Sequence, residues 1–349
     1  MSFNPKFTIT SKINNALVEI ERVRGFLDAV KLKDEWFVDM QREALILESH
    51  YSTHIEGTAL SLEQAKSILE GRPVKGVNID DKKELLNYKK AMDFISKYLG
   101  GEDPITEGLI RELHKILVKG VRGEKADPGN YRKVQNYVVN SRTKEVIYTP
   151  PPAHDVPALM REFTEWLNKV RDLSPIILAG IAQFQFVHIH PFLDGNGRTA
   201  RILSTLILYK TSYDFKRLFT ISEYYDKNRP AYYKAIQCVR ENNMDMTAWL
   251  EYFAEGLRSQ MIEIQEKGKR IIKREALLKK IDASSLNKRQ EKVLKYIVNT
   301  GKISVREYQK ITKSIRRTAQ RDLSELVEKK ILKTIAQSPT DPTKYYELL

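Results

Sequence analysis

The run from His190 to Arg201, His-Pro-Phe-Leu-Asp-Gly-Asn-Gly-Arg-Thr-Ala-Arg, constrains the fold more than any other part of the chain. Gly195 and Gly197 allow the backbone to turn its N–H groups inward around an anion. The apolar spacing of residues 198–210 predicts a helix that begins directly after these glycines. The positive end of that helix would face the loop, and this arrangement favours a bound phosphate.

The polar side chains of this run suit chemistry on a polyphosphate. Arg198 and Arg201 are three residues apart and share a helix face, so their guanidinium groups can pair with successive phosphate groups. Asp194 suits Mg²⁺, which takes few protein oxygens and fills its other positions with water and substrate phosphate. His190 has an ordinary pKa of roughly 6.5 and can accept a proton at neutral pH. His188 follows an apolar stretch and is predicted to be a helix-packing residue.

The run resembles the signature of the Fic family, His-Pro-Phe-x-Asp-Gly-Asn-Gly-Arg-x-x-Arg, at every fixed position. The resemblance implies a mainly α fold, with a helical core and a short β-hairpin flap. It also implies an enzyme that transfers AMP from ATP to a hydroxyl side chain (Ser, Thr or Tyr) of target proteins, and of itself, with release of pyrophosphate. The roles it implies are His190 as the base, Phe192 as a core anchor, Asp194 as the Mg²⁺ ligand, Gly195, Asn196 and Gly197 as phosphate-binding residues, and Arg198 and Arg201 as partners of the β- and γ-phosphates.

Residues 129–152 predict a β-hairpin with a polar turn at 140–144 and a closing run of prolines. The stretch resembles the flap of the Fic family, with Val146, Ile147 and Tyr148 on its second strand. An exposed hairpin edge can align a target segment by strand addition and place its hydroxyl before the base. A hairpin with a structural role alone would show the same pattern.

The stretch from Arg229 to Lys234 is similar to the helix that lies on the adenosine side of the site in the Fic family. This similarity makes Tyr232 and Tyr233 candidates for contacts with the nucleoside, although two aromatic residues at a helix start are as often core residues. Some relatives have an asparagine about two turns further on, where this chain has Arg240.

A second motif, Ser52-Thr-His-Ile-Glu56-Gly57, ends a helix predicted from residue 34, with Gly57 as its cap. It resembles the inhibitory pattern Ser/Thr-x-x-x-Glu-Gly/Asn of the Fic subclass whose inhibitory helix is N-terminal. Glu56 could pair with Arg201 and occupy the arginine that would hold the γ-phosphate. Ser52 lies one turn earlier on the same face. The resemblance therefore implies an enzyme that is auto-inhibited by Glu56.

The chain divides by pattern and by charge. Of its 59 Lys and Arg and 45 Asp and Glu, residues 267–349 contain 22 and 9, so nearly all the basic excess is C-terminal. We predict helices at 11–30, 34–56, 61–70 (with Ser61 and Gln64 as a capping box) and 80–99, a break at Gly100-Gly101 and a charged connecting helix at 261–280. The predicted domains are an N-terminal helical region at 1–103, a catalytic domain at 104–256, a helical linker at 257–285 and a C-terminal domain at 286–349.

Residues 286–349 resemble a winged helix-turn-helix, with helices at 288–299, 304–312 and 314–330 and strand-like ends around Pro339 and Pro342. The third helix could read a major groove while the wing contacts the backbone. Docking to a protein, or dimerisation, is the equal alternative, and the oligomeric state, including a homo-oligomer, stays open. The residues predicted to face DNA are Lys313, Arg316, Arg317, Gln320 and Arg321.

The single cysteine, Cys238, excludes an internal disulfide, and no apolar run is long enough to span a bilayer. We therefore expect a cytoplasmic protein that does not enter a membrane. Two alternatives to AMP transfer remain open. Related folds transfer UMP, phosphocholine or phosphate, or remove AMP with a regulatory glutamate. The chain could also be a DNA-binding regulator in which the ATP site is a sensor.

Overall fold

The computed structural model describes residues 3–30, 34–121, 127–139, 143–280, 286–336, 338, 341 and 343–349. The described residues divide into two compact units, Met1–Ile262 and Glu263–Leu349. Both units are built mainly from helices, with one short hairpin in the first and a small sheet in the second. The prediction of a mainly α fold is confirmed. Within the described part of the chain, no helix is both long enough and apolar enough to cross a membrane.

The first unit is a helical assembly around two central helices, α7 (Pro175–Ile189) and α8 (Asn196–Lys210). Both are buried along almost their whole length, α7 because its sequence is apolar on every face, and α8 although it carries Arg198 and Arg201. Its helices are α1 (Ser11–Ala29), α2 (Asp34–Ile55), α3 (Leu62–Leu69), α4 (Ile79–Ile95), α5 (Glu107–Val118), α6 (Val156–Lys169), α7 (Pro175–Ile189), α8 (Asn196–Lys210), α9 (Ile221–Lys227), α10 (Arg229–Glu241) and α11 (Thr247–Lys280), and α11 contains the boundary between the units.

Local sequence signals set the helix ends in the N-terminal region. The Ser61 side chain accepts from the N–H of Gln64, and the Gln64 side chain accepts from the N–H of Ser61, so the predicted capping box is present at the start of α3. Gly57 follows α2 with φ 102°, a conformation that favours glycine, as expected of a cap. The connecting helix predicted at 261–280 is the second half of α11, so the domain end predicted at residue 256 falls inside a continuous helix.

The predicted hairpin is formed by β1 (Val138–Val139) and β2 (Val146–Tyr148), which pair antiparallel with Val138 opposite Tyr148. Part of the predicted turn at 140–144 lies outside the described residues. The hairpin is tied down at its base, where the Gln135 side chain donates to the carbonyl of Pro150 at 3.0 Å. Its edge carries large exposed apolar side chains, at Val139, Val146 and Ile147.

The second unit has α12 (Lys288–Thr300), β3 (Lys302–Ser304), α13 (Val305–Thr312), α14 (Arg316–Glu328), β4 (Leu332–Ile335) and β5 (Tyr345–Leu348) in that order. The strands form an antiparallel sheet in the order β3-β5-β4. One apolar cluster joins the three helices to the sheet, with Leu294, Ile303, Leu323 and Tyr346 among its members. The strand ends predicted around Pro339 and Pro342 lie outside the described residues.

Candidate active site

His190 ends α7 in a backbone conformation that glycine usually takes. The helix stops at Ile189, and His190 follows with φ 51° and ψ 58°, in the left-handed region. A residue with a Cβ pays energy for this conformation, and such residues concentrate at functional sites. Arg132, at the start of the hairpin stretch, holds the turn. Its Nε donates to the carbonyl of His190 at 2.9 Å, and its backbone N–H donates to the carbonyl of Pro191 at 2.9 Å.

The surroundings of the His190 imidazole determine its tautomer and its charge. Its Nδ1 lies 3.3 Å from the carbonyl oxygen of Val187, and a carbonyl oxygen can only accept, so in the neutral ring Nδ1 carries the proton and Nε2 keeps its lone pair. Burial lowers the pKa of His190 to about 4, and the cations Arg240 and Arg132 act in the same direction against the Val187 hydrogen bond. At neutral pH the ring is therefore uncharged and Nε2 can accept a proton.

The loop after His190 is closed by its own side chains. Asn196 Oδ1 accepts from the N–H of Phe192 at 2.9 Å, and Asn196 Nδ2 donates to the carbonyl of Phe192 at 2.8 Å. The Phe192 ring is fully buried, as expected of a core anchor. Because the Asn196 side chain is occupied in closing the loop, its backbone N–H is the group that can face an anion at this helix start.

His114 of α5 fixes the same loop from beneath. Its ring stacks on Phe192 with centroids 3.7 Å apart. Its Nδ1 accepts from the N–H of Gly129 at 2.9 Å, so Nε2 carries the proton and donates to the carbonyl of Asp194 at 2.9 Å. Burial lowers the pKa of His114 to about 4, which keeps this tautomer neutral. A Cβ on Gly195, where φ is 77°, would lie 2.9 Å from Val118, so the position requires glycine.

The start of α8 has the features of an anion site. Gly195 caps the helix without a side-chain hydrogen bond, so the first backbone N–H groups of α8 have no partner within the helix. Arg198 lies in the first turn and is buried, and its Nη1 donates to Glu84 of α4 at 3.0 Å. Its Nε has no hydrogen-bond partner among the described residues. Free N–H groups and a buried guanidinium therefore meet at one helix end.

The side chain of Asp194 borders this helix end and is 48% exposed. One carboxylate oxygen accepts from the N–H of Gly195 at 2.6 Å and lies 3.9 Å from Arg198 Nη2. The described residues contain no group of three or more His, Cys, Asp or Glu side chains that could hold a metal ion by themselves. An accessible carboxylate beside a helix end with available N–H groups fits Mg²⁺, which takes few protein oxygens and fills its other positions with water and substrate oxygens.

Glu56 of the predicted inhibitory motif contacts Arg201, as the sequence led us to expect. Arg201 Nη2 lies 2.7 Å from Glu56 Oε1, and Arg201 is 1% exposed. Ser52 supplies two more acceptors: its hydroxyl takes a hydrogen bond from Arg201 Nε at 2.7 Å, and its carbonyl takes one from Nη2 at 2.8 Å. The end of α2 thus satisfies a buried cation that lies one turn inside α8.

The Glu56 carboxylate also lies against the glycine loop. A Cβ built on Gly197 would collide with Glu56 Oε1 and would come within 3.3 Å of Arg201 Nη1. Burial would raise the pKa of Glu56, but Arg201 and Arg198 outweigh it, so the pKa is lowered and the group is ionised at neutral pH. An anion therefore already occupies the space beside Gly197 and Arg201.

Two turns before Glu56, the buried carboxylate of Glu48 ties α2 to its neighbours. Glu48 Oε1 accepts from the hydroxyl of Tyr88 in α4 at 3.0 Å, and Oε2 accepts from the N–H of Ser222 in α9 at 3.0 Å. The Ser222 hydroxyl donates to the same carboxylate. Closer to Glu56, His54 Nδ1 lies 2.9 Å from the Asp226 carboxylate of α9. The helix that carries Glu56 is thus fixed on two sides.

The second hairpin strand is joined to the end of α7. The Tyr148 hydroxyl donates to the carbonyl of His188 at 2.8 Å and also lies 2.8 Å from His188 Nδ1. The Arg240 guanidinium covers the Tyr148 ring, with its carbon 3.4 Å from the ring centroid. Two Arg240 nitrogens, Nε and Nη2, are buried without a hydrogen-bond partner among the described residues. His188 is therefore more than a packing residue, since it links the hairpin to the helix before His190.

The two tyrosines predicted to contact the nucleoside differ in exposure. Tyr232 is 2% exposed, and its ring stacks on Tyr225 with centroids 4.3 Å apart, so it belongs to the core, beside Arg201. Tyr233 is 51% exposed and lies near Glu56. Tyr233 is thus the member of the pair that a bound nucleoside can reach. Tyr232 would act through the packing behind Arg201.

The comparison with known families identifies the central part of the chain. Residues 104–208 match the sequence profile of the Fic/DOC family. Proteins named protein adenylyltransferase Fic from Drosophila grimshawi and Drosophila melanogaster are 34% identical to this chain over 200 residues. The match covers 56% of this chain but only 40% and 39% of those proteins, so the chain spans less than half the length of these relatives.

Solved structures show the same fold. A Fic family protein from Desulfovibrio desulfuricans G20 superposes with a TM-score of 0.66 at 24% identity, over 99% of this chain and 98% of that one. A Fic domain containing signaling protein from Bacteroides thetaiotaomicron VPI-5482 gives a TM-score of 0.60 at 24% identity, over 75% of this chain and 96% of that one. At this level of identity the likeness establishes the fold.

Proposed function

We propose that this chain, whose residues 104–208 form a Fic/DOC domain, transfers AMP from ATP to a hydroxyl side chain of a target protein and releases pyrophosphate. Relatives named protein adenylyltransferase support this reaction class. The observation that carries the proposal is the meeting of three features within twelve residues. These are the neutral His190 with a free Nε2, the start of α8, whose N-cap Gly195 supplies no side-chain hydrogen bond, and the buried cations Arg198 and Arg201.

In the proposed reaction the target hydroxyl oxygen attacks the α-phosphorus of ATP. The bond from the α-phosphorus to the oxygen that bridges the β-phosphate breaks, and pyrophosphate leaves with that electron pair. The hydroxyl proton passes to His190 Nε2. The N–H groups at the start of α8, with Arg198 and Arg201, bind the phosphate oxygens and neutralise their charge, which is most of what a phosphoryl-type transfer requires of a protein.

Asp194 is the residue that would hold Mg²⁺, which when bound would add positive charge at the phosphates. The hairpin is the surface on which the target segment would lie. Val146 and Ile147 expose apolar side chains on the second strand, and the backbone of an edge strand can pair with an extended peptide.

Auto-inhibition by Glu56 is part of the proposal. Its carboxylate is hydrogen-bonded to the Arg201 guanidinium and fills the space beside Gly197. A triphosphate that binds at the same helix end must therefore either bind without Arg201 or displace the carboxylate. A misplaced γ-phosphate would turn the α-phosphorus away from the target hydroxyl and slow the attack.

The test compares the wild type with Glu56→Gly, using α-labelled ATP, Mg²⁺ and a cell extract as the source of targets. We expect label on target proteins and on the chain itself, at a rate at least about 30-fold higher for the variant, since roughly 2 kcal/mol of competition is removed. Glu63→Gly is the matched control, because Glu63 is exposed on the adjacent helix α3. Adding His190→Ala to Glu56→Gly should abolish labelling.

Each part of the proposal can fail separately. If Glu56→Gly transfers no label from α-labelled ATP to any protein of the extract, AMP transfer is contradicted. If label is transferred from α-labelled UTP instead, the nucleotide that the enzyme transfers is UMP. Equal rates for the wild type and Glu56→Gly would contradict auto-inhibition and leave the transfer itself standing. Release of AMP from a labelled target by the wild type, and not by Glu56→Gly, would identify AMP removal as the activity.

A further inference from the structure

We propose that the second unit binds duplex DNA through the exposed face of α14. The unit has the element order of a winged helix-turn-helix: α12, β3, the pair α13 and α14, then β4 and β5. Only residues 313–315 join α13 to α14, with Lys313 in the left-handed conformation at φ 55°. A tight link of this length is typical of DNA-binding helix pairs, whose second helix enters the major groove.

A buried carboxylate fixes the inner face of α14. Asp322 is fully buried and accepts from the Tyr308 hydroxyl of α13 at 2.7 Å and from Arg289 Nε of α12 at 2.8 Å. Gln290 Nε2 also donates to the backbone carbonyl of Asp322 at 3.3 Å. Leu323 and Leu326 pack in the apolar cluster on the same face. α14 is therefore held in one rotation about its axis, which determines the residues that it presents outward.

The outward face is basic and polar. Its exposed residues recur at the spacing of one helix face. Arg316 and Arg317 have no ion-pair partner among the described residues, whereas Arg321 lies 3.6 Å from Glu325 and from Asp322. The exposed residues of this face are Arg316, Arg317, Gln320, Arg321 and Ser324.

The first turn of α14 carries positive charge, which is unfavourable at the positive N-terminal end of a helix. It contains two arginines and no acidic residue, and its N-cap, Ile315, makes no side-chain hydrogen bond. The positive end of a helix dipole repels these cations, and a phosphate placed there would relieve that repulsion and pair with both guanidinium groups. Further along the face, arginine and glutamine are the side chains that bind guanine and adenine edges with two hydrogen bonds.

Charge and apolar content favour DNA over a protein partner. Residues 267–349 contain 22 Lys and Arg against 9 Asp and Glu. Ile315 is the large exposed apolar residue of this face, whereas the central part of a protein–protein interface is apolar and poor in charged residues. A polyanion is the partner that this surface complements.

The experiment measures binding of the full chain to a labelled random-sequence duplex by fluorescence anisotropy, at salt concentrations between about 50 and 200 mM. The test variant is Arg316→Ala with Arg317→Ala. The control variant is Lys292→Ala with Lys295→Ala, which removes the same charge from exposed positions of α12. Circular dichroism melting checks that both variants fold.

We expect the wild type to bind with an affinity that falls steeply with salt. The arginine variant should bind about tenfold more weakly at low salt. The slope of the logarithm of its binding constant against the logarithm of the salt concentration should be smaller in magnitude by about 2, the value for two lost phosphate contacts. The lysine control should change affinity less than about threefold. No binding at the lowest salt would overturn the proposal in favour of a protein partner. Equal weakening by both variants would show general attraction to the basic unit and would overturn the assignment to α14.

Discussion

Replacing Glu56 with glutamine should destabilise the free protein and strengthen its response to ATP. Arg201 is 1% exposed and pairs with Glu56 at 2.7 Å, while Glu56 itself is 28% exposed. Breaking a fully buried ion pair costs about 3–5 kcal/mol because the remaining charge is left uncompensated. Here Glu56 is partly hydrated and the two Ser52 acceptors remain, so we expect a loss near the strength of one charge-assisted hydrogen bond, about 2 kcal/mol.

Glu56→Gln should bind ATP more tightly than the wild type does, by the same free energy of about 2 kcal/mol. In the wild type a triphosphate competes with the Glu56 carboxylate for Arg201, whereas in Glu56→Gln it competes with a neutral amide, which binds the guanidinium more weakly. A difference of about 2 kcal/mol corresponds to roughly 30-fold tighter binding. At a fixed ATP concentration the variant should therefore gain more stability from the ligand than the wild type does.

Differential scanning calorimetry with and without ATP and Mg²⁺ measures both effects. Without ATP we expect Tm to fall by about 5 °C, given about 2–4 °C per kcal/mol for a unit of this size. With ATP most of that loss should be recovered. Glu63→Gln, on an exposed side chain, should leave both values nearly unchanged. An ATP-induced shift that is the same in Glu56→Gln and in the wild type would refute competition for Arg201.

Three further predictions follow from the pKa values and contacts of the site. Because burial lowers the pKa of His190 to about 4 and the neutral ring is the active form, kcat/KM of Glu56→Gly should stay flat from pH 8 to 5 and fall below that. Arg240→Gln removes a cation that helps to lower this pKa, so the acid limb should move toward neutral pH, whereas Arg240→Lys should keep it near the original position. His114→Phe keeps the stack on Phe192 but leaves the N–H of Gly129 and the carbonyl of Asp194 unsatisfied, so Tm and activity should both fall, with a loss of about 2 kcal/mol in the free energy of unfolding.

The pH dependence of stability provides a check on His114→Phe. In the folded wild type the pKa of His114 is about 4, below its unfolded value, so between pH 6.5 and 4 the unfolded chain binds more protons than the folded one. The wild type should therefore lose stability as the pH falls through this window, by up to about 3 kcal/mol from this group. His114→Phe should lack that part of the slope. An identical slope in urea unfolding of both proteins would contradict the neutral, doubly bonded role of His114.

Most of what the sequence predicted of the site is specified by neighbours in the chain. The glycine loop and the helix after it follow from one short motif, because that motif contains the backbone freedom and the charges that its structure needs. The pairing of Glu56 with Arg201 is the exception, since it joins residues 145 positions apart and was expected from the resemblance of both motifs to the Fic family. The capping box at Ser61 and Gln64 was predictable for the same reason. Local motifs give good predictions where the partners lie within one turn or one loop.

Contacts between distant segments were not predictable in this way. In the sequence His114 is one position on the apolar face of α5. Nothing near it in the sequence indicates that its two ring nitrogens are hydrogen-bonded to Gly129 and to Asp194. Arg132 was placed in the hairpin stretch, but its contact with the His190 carbonyl spans 58 residues. Tyr232 was a candidate for the nucleoside, yet its ring is buried against Tyr225, because exposure depends on packing from other helices.

The way in which α2 is held limits how inhibition can be relieved. Releasing the whole helix would expose the Glu48 carboxylate and break its hydrogen bonds to Tyr88 and Ser222, at a cost of several kcal/mol. Moving only the residues after Ile55 costs much less, because α2 ends there and Gly57 has φ 102°. Glu48→Gln should therefore loosen α2 and lower Tm, and raise the basal rate less than Glu56→Gly does. A basal rate in Glu48→Gln as high as in Glu56→Gly would show instead that release of the whole helix is the activating step.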